Sequence, residues 1–512
     1  MAPSASTIPD HLTEMQATFG AGSTSSPFGV GSVRENESYS VDARNSSNNQ
    51  DSYIVDWEDR DSEDPQNWAL AKKLSFTVVG CSMIFSVAFA SSIFGSATSV
   101  TAAQFNVSDE VMSLSVALYI AGYAIGPLFF APFSEIVGHA IPLSMALLGC
   151  AVFQIPLSLA QNVQTILISR FLNGAIGSGV LAVGSGMMAE LWNPVSRAVA
   201  IGFNATMMNM GSTVGPIAGS FIVQRYGWRW TGWATLIICG CVGFAALFAI
   251  RETSRKRILV LRARRIRKKT NNNAYHARSE MEHLSLGVLA QKYFTIPLHM
   301  IVQEPILIIL TVYLTLVYGT LYLSYQLFPF AFKKRGWSAS IASLPFISVT
   351  LGVLAAWGTF SLFTLTWYKR QLKAKGTTSP EDRLPPMILA ACILPAALLW
   401  FGWSMEAHWA AQVISCFFVG YSLQLIFMSG VVYLVDVYMP RANSAISIHV
   451  VVRSLVSASF PLWSTPMYEG LGVQWSATVL AILAAVMLPS PILFRVYGRT
   501  IRTWSRFCDP GI

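Results

Sequence analysis

Apolar segments of about 20 residues recur along the whole chain, and no other feature limits its fold so strongly. A helix of that length crosses the ~30 Å hydrocarbon layer of a bilayer. Twelve such segments are expected, near 74–94, 111–131, 140–160, 164–190, 198–222, 231–250, 305–331, 339–367, 386–404, 408–435, 443–466 and 472–494. In lipid every backbone N–H and C=O must find its partner within the segment, so each segment is expected as a helix. The alternating ten-residue strands of a membrane barrel do not occur. Composition agrees: 53% of residues are apolar and 12% charged, against about 25% charged in soluble domains. The predicted fold class is therefore an all-α membrane protein with 12 transmembrane helices.

Charge gives the orientation. With the N-terminus inside, 28 of the 35 Lys and Arg lie on the cytoplasmic side and five outside, as the positive-inside rule requires. Lys333, Lys334 and Arg335 run against the bias. Both termini are thus expected in the cytoplasm, and the net charge of +9 is topological rather than a sign of nucleic-acid binding. Residues 1–70 are polar and Ser-rich and are expected as a disordered cytoplasmic tail. Residues 71–250 hold six segments and 305–494 six more. The linker between them, 251–304, carries nine basic residues and no acid in "RKRILVLRARRIRKK" (255–269). That piece reads either as a helix on an anionic membrane surface or as a topological anchor. A second cytoplasmic tail covers 495–512. The cysteines are expected as small core residues, and no metal or cofactor site is expected.

The fifth segment contains "GSTVGPIAGS" (211–220). Gly211, Gly215 and Gly219 step slowly around a helix and leave a groove for another helix. Pro216 removes an amide and crowds the Ser212 carbonyl, and the Ser212 and Thr213 hydroxyls can serve the freed groups. The loop after segment two reads "GPLFFAPFSEIVGHAIPL" (126–143), and segment four carries "SRFLNGAIGSG" (169–179). Segment seven places Tyr318, Tyr322 and Tyr325 on one face with Gln326 adjacent, which suits an aromatic wall for a flat apolar ligand.

With "DPQNWALAKK" (64–73) and "YLVDVYMPRANSAISIHVVVRSLVSASFPLW" (433–463), these motifs resemble the major facilitator superfamily, specifically the fungal 12-span drug:proton antiporters. The resemblance implies two pseudo-symmetric six-helix halves. It implies that Gly211, Gly215, Pro216 and Gly219 form the antiporter motif where the halves meet. It makes Gly126, Pro127, Glu135, Gly138 and His139 the cytoplasmic gate. His139 and Ala140 stand where two basic residues are usual, so the gate has its acid without its cations. Arg170 is implied in proton coupling, followed by Asn173, and Tyr318, Tyr322, Tyr325, Gln326 and Asn173 are candidates for substrate contact. His449 stands where the family usually has Asn.

No acid lies deep in a segment; Glu135, Glu190, Glu304 and Asp436 fall near cytoplasmic ends. The deep ionisable groups are Arg170, His449 and Arg453. Arginine does not release its proton in proteins, so His449 is the deep group able to titrate, with Glu135 and Glu190 as alternatives reached through water. The expected function is a plasma-membrane efflux carrier, not an enzyme. It would exchange small amphipathic molecules (drug, toxin or secondary metabolite) for protons, and would act as a monomer in the bilayer without nucleic acid. No phosphate-binding G-x-x-x-x-G-K-[ST] loop exists for ATP-driven pumping. An uptake carrier for a nutrient and a non-transporting sensor are the rival readings.

Overall fold

The computed structural model describes residues 53–58, 60–281, 287, 291–376, 379–505 and 507. The tail through residue 52 and residues 508–512 lie outside these. From Ile54 onward the chain forms one unit. Its first half contains α1 (Leu70–Ile93), α2 (Asp109–Val137), α3 (Ala140–Ser158), α4 (Val163–Leu191), α5 (Pro194–Tyr226) and α6 (Arg229–Ala249). The second half contains α7 (Pro305–Lys334), α8 (Phe346–Phe363), α9 (Pro385–Trp403) and α10 (Trp409–Val437). It closes with α11 (Ala442–Ser457), α12 (Phe460–Met487) and α13 (Pro489–Thr503).

Among the described residues, ten helical runs are long and apolar enough to cross a membrane. The expected fifth segment is helical but falls outside that ten, since α5 is diluted by Asn, Ser, Thr and Gly. The expected eleventh and twelfth share one run, Ala442–Thr503, which turns inside α12 at Gly472, where φ is +73°. Large apolar side chains such as Phe244, Phe248, Leu362 and Val486 are exposed, as a lipid-facing surface requires. Arg335, one of the basic residues that run against the charge bias, is a staple. Its guanidinium donates to Gln412 Oε1 (2.7 Å), the Ala407 carbonyl (2.9 Å) and the Ser404 carbonyl (2.6 Å).

The glycine face of α5 lies against α1 of its own half. A Cβ at Gly211 would meet the Phe85 carbonyl oxygen, one at Gly215 the Phe89 carbonyl oxygen, and one at Gly219 the Ile93 carbonyl oxygen. The helix that the groove was expected to receive is therefore α1. The opposite face of α5 does that with hydrogen bonds: Thr213 to Thr350 (2.8 Å), Ser220 to Ser343 (2.7 Å), Gln424 to Thr206 (3.0 Å) and Asn209 to Gln424. So α5 is a strut shared by both halves, with polar contacts toward the other half and close backbone contact toward its own.

Of the two readings of the basic linker piece, the helix laid on lipid finds no support. Arg255–Thr270 is a helix, but its apolar side is covered. Strand β1 (Ile54–Val55) pairs in parallel with β2 (His276–Ala277), and Val55 and Ala277 bury Ala263 between them. Its arginines meet the acidic stretch before α1: Arg255 on Asp64 (2.9 Å), Arg265 on Glu63 (3.0 Å) and Arg262 on Asp61. Residues 54–58 and 60–67, expected in the disordered tail, are thus held by strand pairing and charge. The helix has no free apolar face to lay on lipid.

Candidate functional site

Two cavities enter the helix bundle from opposite ends. The one on the linker side encloses about 300 Å³ and the one on the far side about 230 Å³. Ser92, Ser113, Tyr322, Tyr325, Gln326 and Lys333 line the far-side cavity. Tyr123, Glu135, Glu190, Phe427, His449 and Arg453 line the linker-side one.

A tyrosine layer stands between them. Tyr318 and Tyr322 are buried, pack edge to face at 5.1 Å and bring their hydroxyls to 3.3 Å. Tyr325 continues the row, 5.5 Å from Tyr322. Tyr318 stacks on Phe427 at 6.2 Å. The expected face of segment seven therefore exists, but its rings close on one another as a septum. Gln326 accepts from Ser464, which ties α7 to α12 beside the far-side cavity. Asn173 does not belong to this site. It is buried between α3 and α4, accepting from the Cys150 thiol at 2.9 Å, and lines neither cavity.

The two deep arginines are placed differently. Arg170 donates to the carbonyls of Ser115 (3.2 Å), Ala90 (2.6 Å) and Ser91 (2.6 Å), and its guanidinium lies 4.3 Å from the Tyr119 ring. Helix α1 ends at Ile93, so its last carbonyls lack helical partners, and Arg170 caps them. Arg453 is 96% buried yet makes no hydrogen bond or ion pair among the described residues. Its guanidinium lies 4.3 Å over the Tyr318 ring and 5.0 Å over Phe427. One turn away on α11, His449 is buried, with Nδ1 3.4 Å from the Thr311 hydroxyl and Nε2 unpartnered.

At the linker-side mouth, Glu135 has cations after all, supplied by the linker. Lys292 Nζ donates to it at 2.6 Å, the Tyr293 hydroxyl donates at 2.7 Å, and Lys256 lies 3.7 Å away. The Glu135 carboxylate thus meets two lysine charges and one hydroxyl donor at this mouth. The Tyr293 hydroxyl is pushed well up by burial and by Glu135. The Lys292 carbonyl accepts from Ser444 at the start of α11 (3.2 Å), so this segment joins Glu135 of one half to α11 of the other.

His139 faces Thr253, Nδ1 to Oγ1 3.1 Å. The Glu252 carboxylate accepts from the amides of His139 (2.9 Å), Thr253 (2.9 Å) and Ser254 (2.8 Å). At the preceding Gly138 φ is +98°, a backbone geometry that glycine alone adopts cheaply. Gly126 lets α2 close on α4, where an added Cβ would meet the Ala175 carbonyl at 2.9 Å, and Pro127 beside it lines the linker-side cavity. Glu190 Oε2 accepts from the Arg255 amide at 2.6 Å. The second half keeps ordinary ion pairs at the matching end: Arg383 on Asp436 (2.8 Å) and Arg502 on Glu381 (3.1 Å).

Sequence reasoning missed Lys292, Tyr293, Glu252, Tyr123 and Phe427. Tyr123 had a signal, four residues after Tyr119 on one helix face. Phe427 sits in a plain apolar run and Lys292 is isolated in a long linker, so neither had one.

Comparison with known proteins agrees with this architecture. Residues 80–461 match the Major Facilitator Superfamily. The chain is 41% identical to the citrinin biosynthesis cluster MFS transporter of Monascus ruber, over 89% of this chain and 93% of that one. It is 35% identical to the cercosporin MFS transporter of Cercospora nicotianae over 98% of both. Its fold is similar to that of the proton:xylose symporter XylE, with a TM-score of 0.60 at 17% identity, covering 85% of this chain and 96% of the symporter. These relatives are transporters rather than enzymes, and the chain belongs to the Major Facilitator Superfamily as a multi-pass membrane protein.

Proposed function

We propose that the protein is a secondary active exporter that moves small amphipathic organic molecules outward by alternating access, in exchange for protons. The observation that carries this reading is the pair of cavities ending on either side of one tyrosine layer. Rocking of the halves about α5 would open one cavity as it closes the other. Relatives named for citrinin and cercosporin support a secondary metabolite, drug or toxin as cargo. The bias of Lys and Arg supports a cytoplasmic position for the linker side and both termini, which in a plasma-membrane exporter is the side from which cargo is taken. Both cavities lie within one chain, so a monomer suffices. The proton would ride on His449, Glu135 or Glu190, all of which line the linker-side cavity.

Cells overproducing the protein test it against a panel of labelled amphipathic compounds. Lower retention than in control cells, abolished by a protonophore, is the expected result. Higher retention would make the protein an uptake carrier. Binding without flux in proteoliposomes would make it a sensor.

A further inference from the structure

Among the described residues, Arg453 is the deep cation whose hydrogen-bonding capacity is unspent. A guanidinium carries five N–H donors and no acceptor. Arg170 uses its donors on three carbonyls. Arg453 Nε has no partner, and its charge is met only by the faces of Tyr318 and Phe427. A buried cation without a counter-charge is expensive, and this one lines a cavity open toward the linker side. His449 Nε2, also buried and unpartnered, lines the same cavity. The acids of that cavity are occupied at its mouth: Glu135 on Lys292 and Tyr293, Glu190 on the Arg255 amide.

We propose that the linker-side cavity is a binding site for aromatic organic anions, with a carboxylate or acidic phenolate oxygen held by Arg453 and the flat ring system laid against Tyr123 and Phe427. This rests on the transport reading above and narrows its cargo. Arginine suits the task because its planar fork matches two carboxylate oxygens at once. The aromatic side chains supply the apolar area that most small-ligand sites use, with few polar groups to fix orientation. His449 Nε2, a turn away, is available to a second oxygen.

The assignment has a consequence for coupling. Opposite charges reinforce each other's binding, and linkage is reciprocal. A proton on His449 would therefore help an anion bind at Arg453. Antiport requires the proton to oppose the cargo, so His449, beside Arg453, does not suit the exchanged proton.

The test uses the full-length protein in lipid nanodiscs, with 1-naphthoate and methyl 1-naphthoate as probes and binding read by tryptophan fluorescence at neutral pH. The acid should bind at least about tenfold tighter than its ester, the size of effect a single charge-assisted contact gives. Arg453→Gln should abolish that preference by weakening the acid alone, and Arg453→Lys should keep part of it. Equal binding of acid and ester by the unaltered protein, a preference that survives Arg453→Gln, or binding of neither probe would overturn the proposal. Acid selectivity in a protein that fails the efflux assay would sink the export reading and leave this one. Efflux without acid selectivity would do the reverse.

Discussion

Each half of the molecule holds an arginine deep among its spanning helices, Arg170 and Arg453, and the two have opposite surroundings. Arg170 in α4 is fully enclosed, with its donors on carbonyls of α1 and α2. Arg453 in α11 faces a cavity, and its guanidinium lies over two aromatic rings without a hydrogen-bond partner for Nε among the described residues. Burial depth and residue type are the same, so neither tells a structural cation from a ligand-binding one. What separates them is whether the hydrogen bonds are already made. The first arginine ties three helices together where α1 ends. The second is left for something that comes and goes.

The largest effect should come from Arg170→Gln. It removes charged hydrogen bonds and leaves three buried carbonyls short of donors, a loss of about 3 kcal/mol or more. The purified protein should unfold at a clearly lower temperature, or fail to reach the membrane. A normal unfolding midpoint would erase the contrast between the two arginines.

Gly215→Leu should come next. The added side chain meets the Phe89 carbonyl and the Ser92 hydroxyl and pushes away the end of α1 that presents Ala90 and Ser91 to Arg170. Overpacking of this kind costs about 1–3 kcal/mol. Thermal unfolding should show a loss smaller than for Arg170→Gln, together with loss of flux. Wild-type flux and stability would mean that the close α1–α5 contact is not needed.

Around Arg453 the effects should be on ligands. Tyr322→Ala opens the septum next to Tyr318 and should reorder substrate preference. Tyr322→Phe, which removes only the hydroxyl contact to Tyr318, should shift it little, since the ring carries most of the interaction. Equal behaviour in an efflux panel would assign the role to packing or to the hydroxyl.

Smallest is the pH response at the mouth of the cavity. As a carboxylate Glu135 accepts from Lys292 and Tyr293, and protonating it removes the charge that holds this tie. At neutral pH, Glu135→Gln should speed labelling of a cysteine placed at Ser178 in the linker-side cavity. Unchanged labelling would show that the linker segment does not restrict entry.

Much of the architecture was legible because lipid allows few solutions. Apolar length gave the helices, and motif spacing gave the family. The α5 glycines were correctly read as a close-contact face, but a helix's own sequence does not say which neighbour comes close, and α1 rather than the other half occupies it. The gate at Glu135 was legible only in part. Its acid was visible, while its cations come from Lys256 and Lys292, more than a hundred residues away. Asn173 shows the limit of reading by motif. It adjoins the Arg170 turn on α4, yet its side chain turns to Cys150, away from both cavities. The difference between Arg170 and Arg453 was not legible at all, because it depends on which carbonyls folding brings within reach.

The contrast is tested most directly by thermal unfolding of the unaltered protein, Arg170→Gln and Arg453→Gln, each with and without saturating 1-naphthoate. A ligand at a hundred times its Kd raises stability by about 2.7 kcal/mol. Arg453→Gln should unfold like the unaltered protein without ligand and gain nothing from it, while Arg170→Gln should unfold early and, where it folds, still gain. An Arg453→Gln protein that unfolds early without ligand, or that naphthoate stabilises as fully as the unaltered chain, would contradict it.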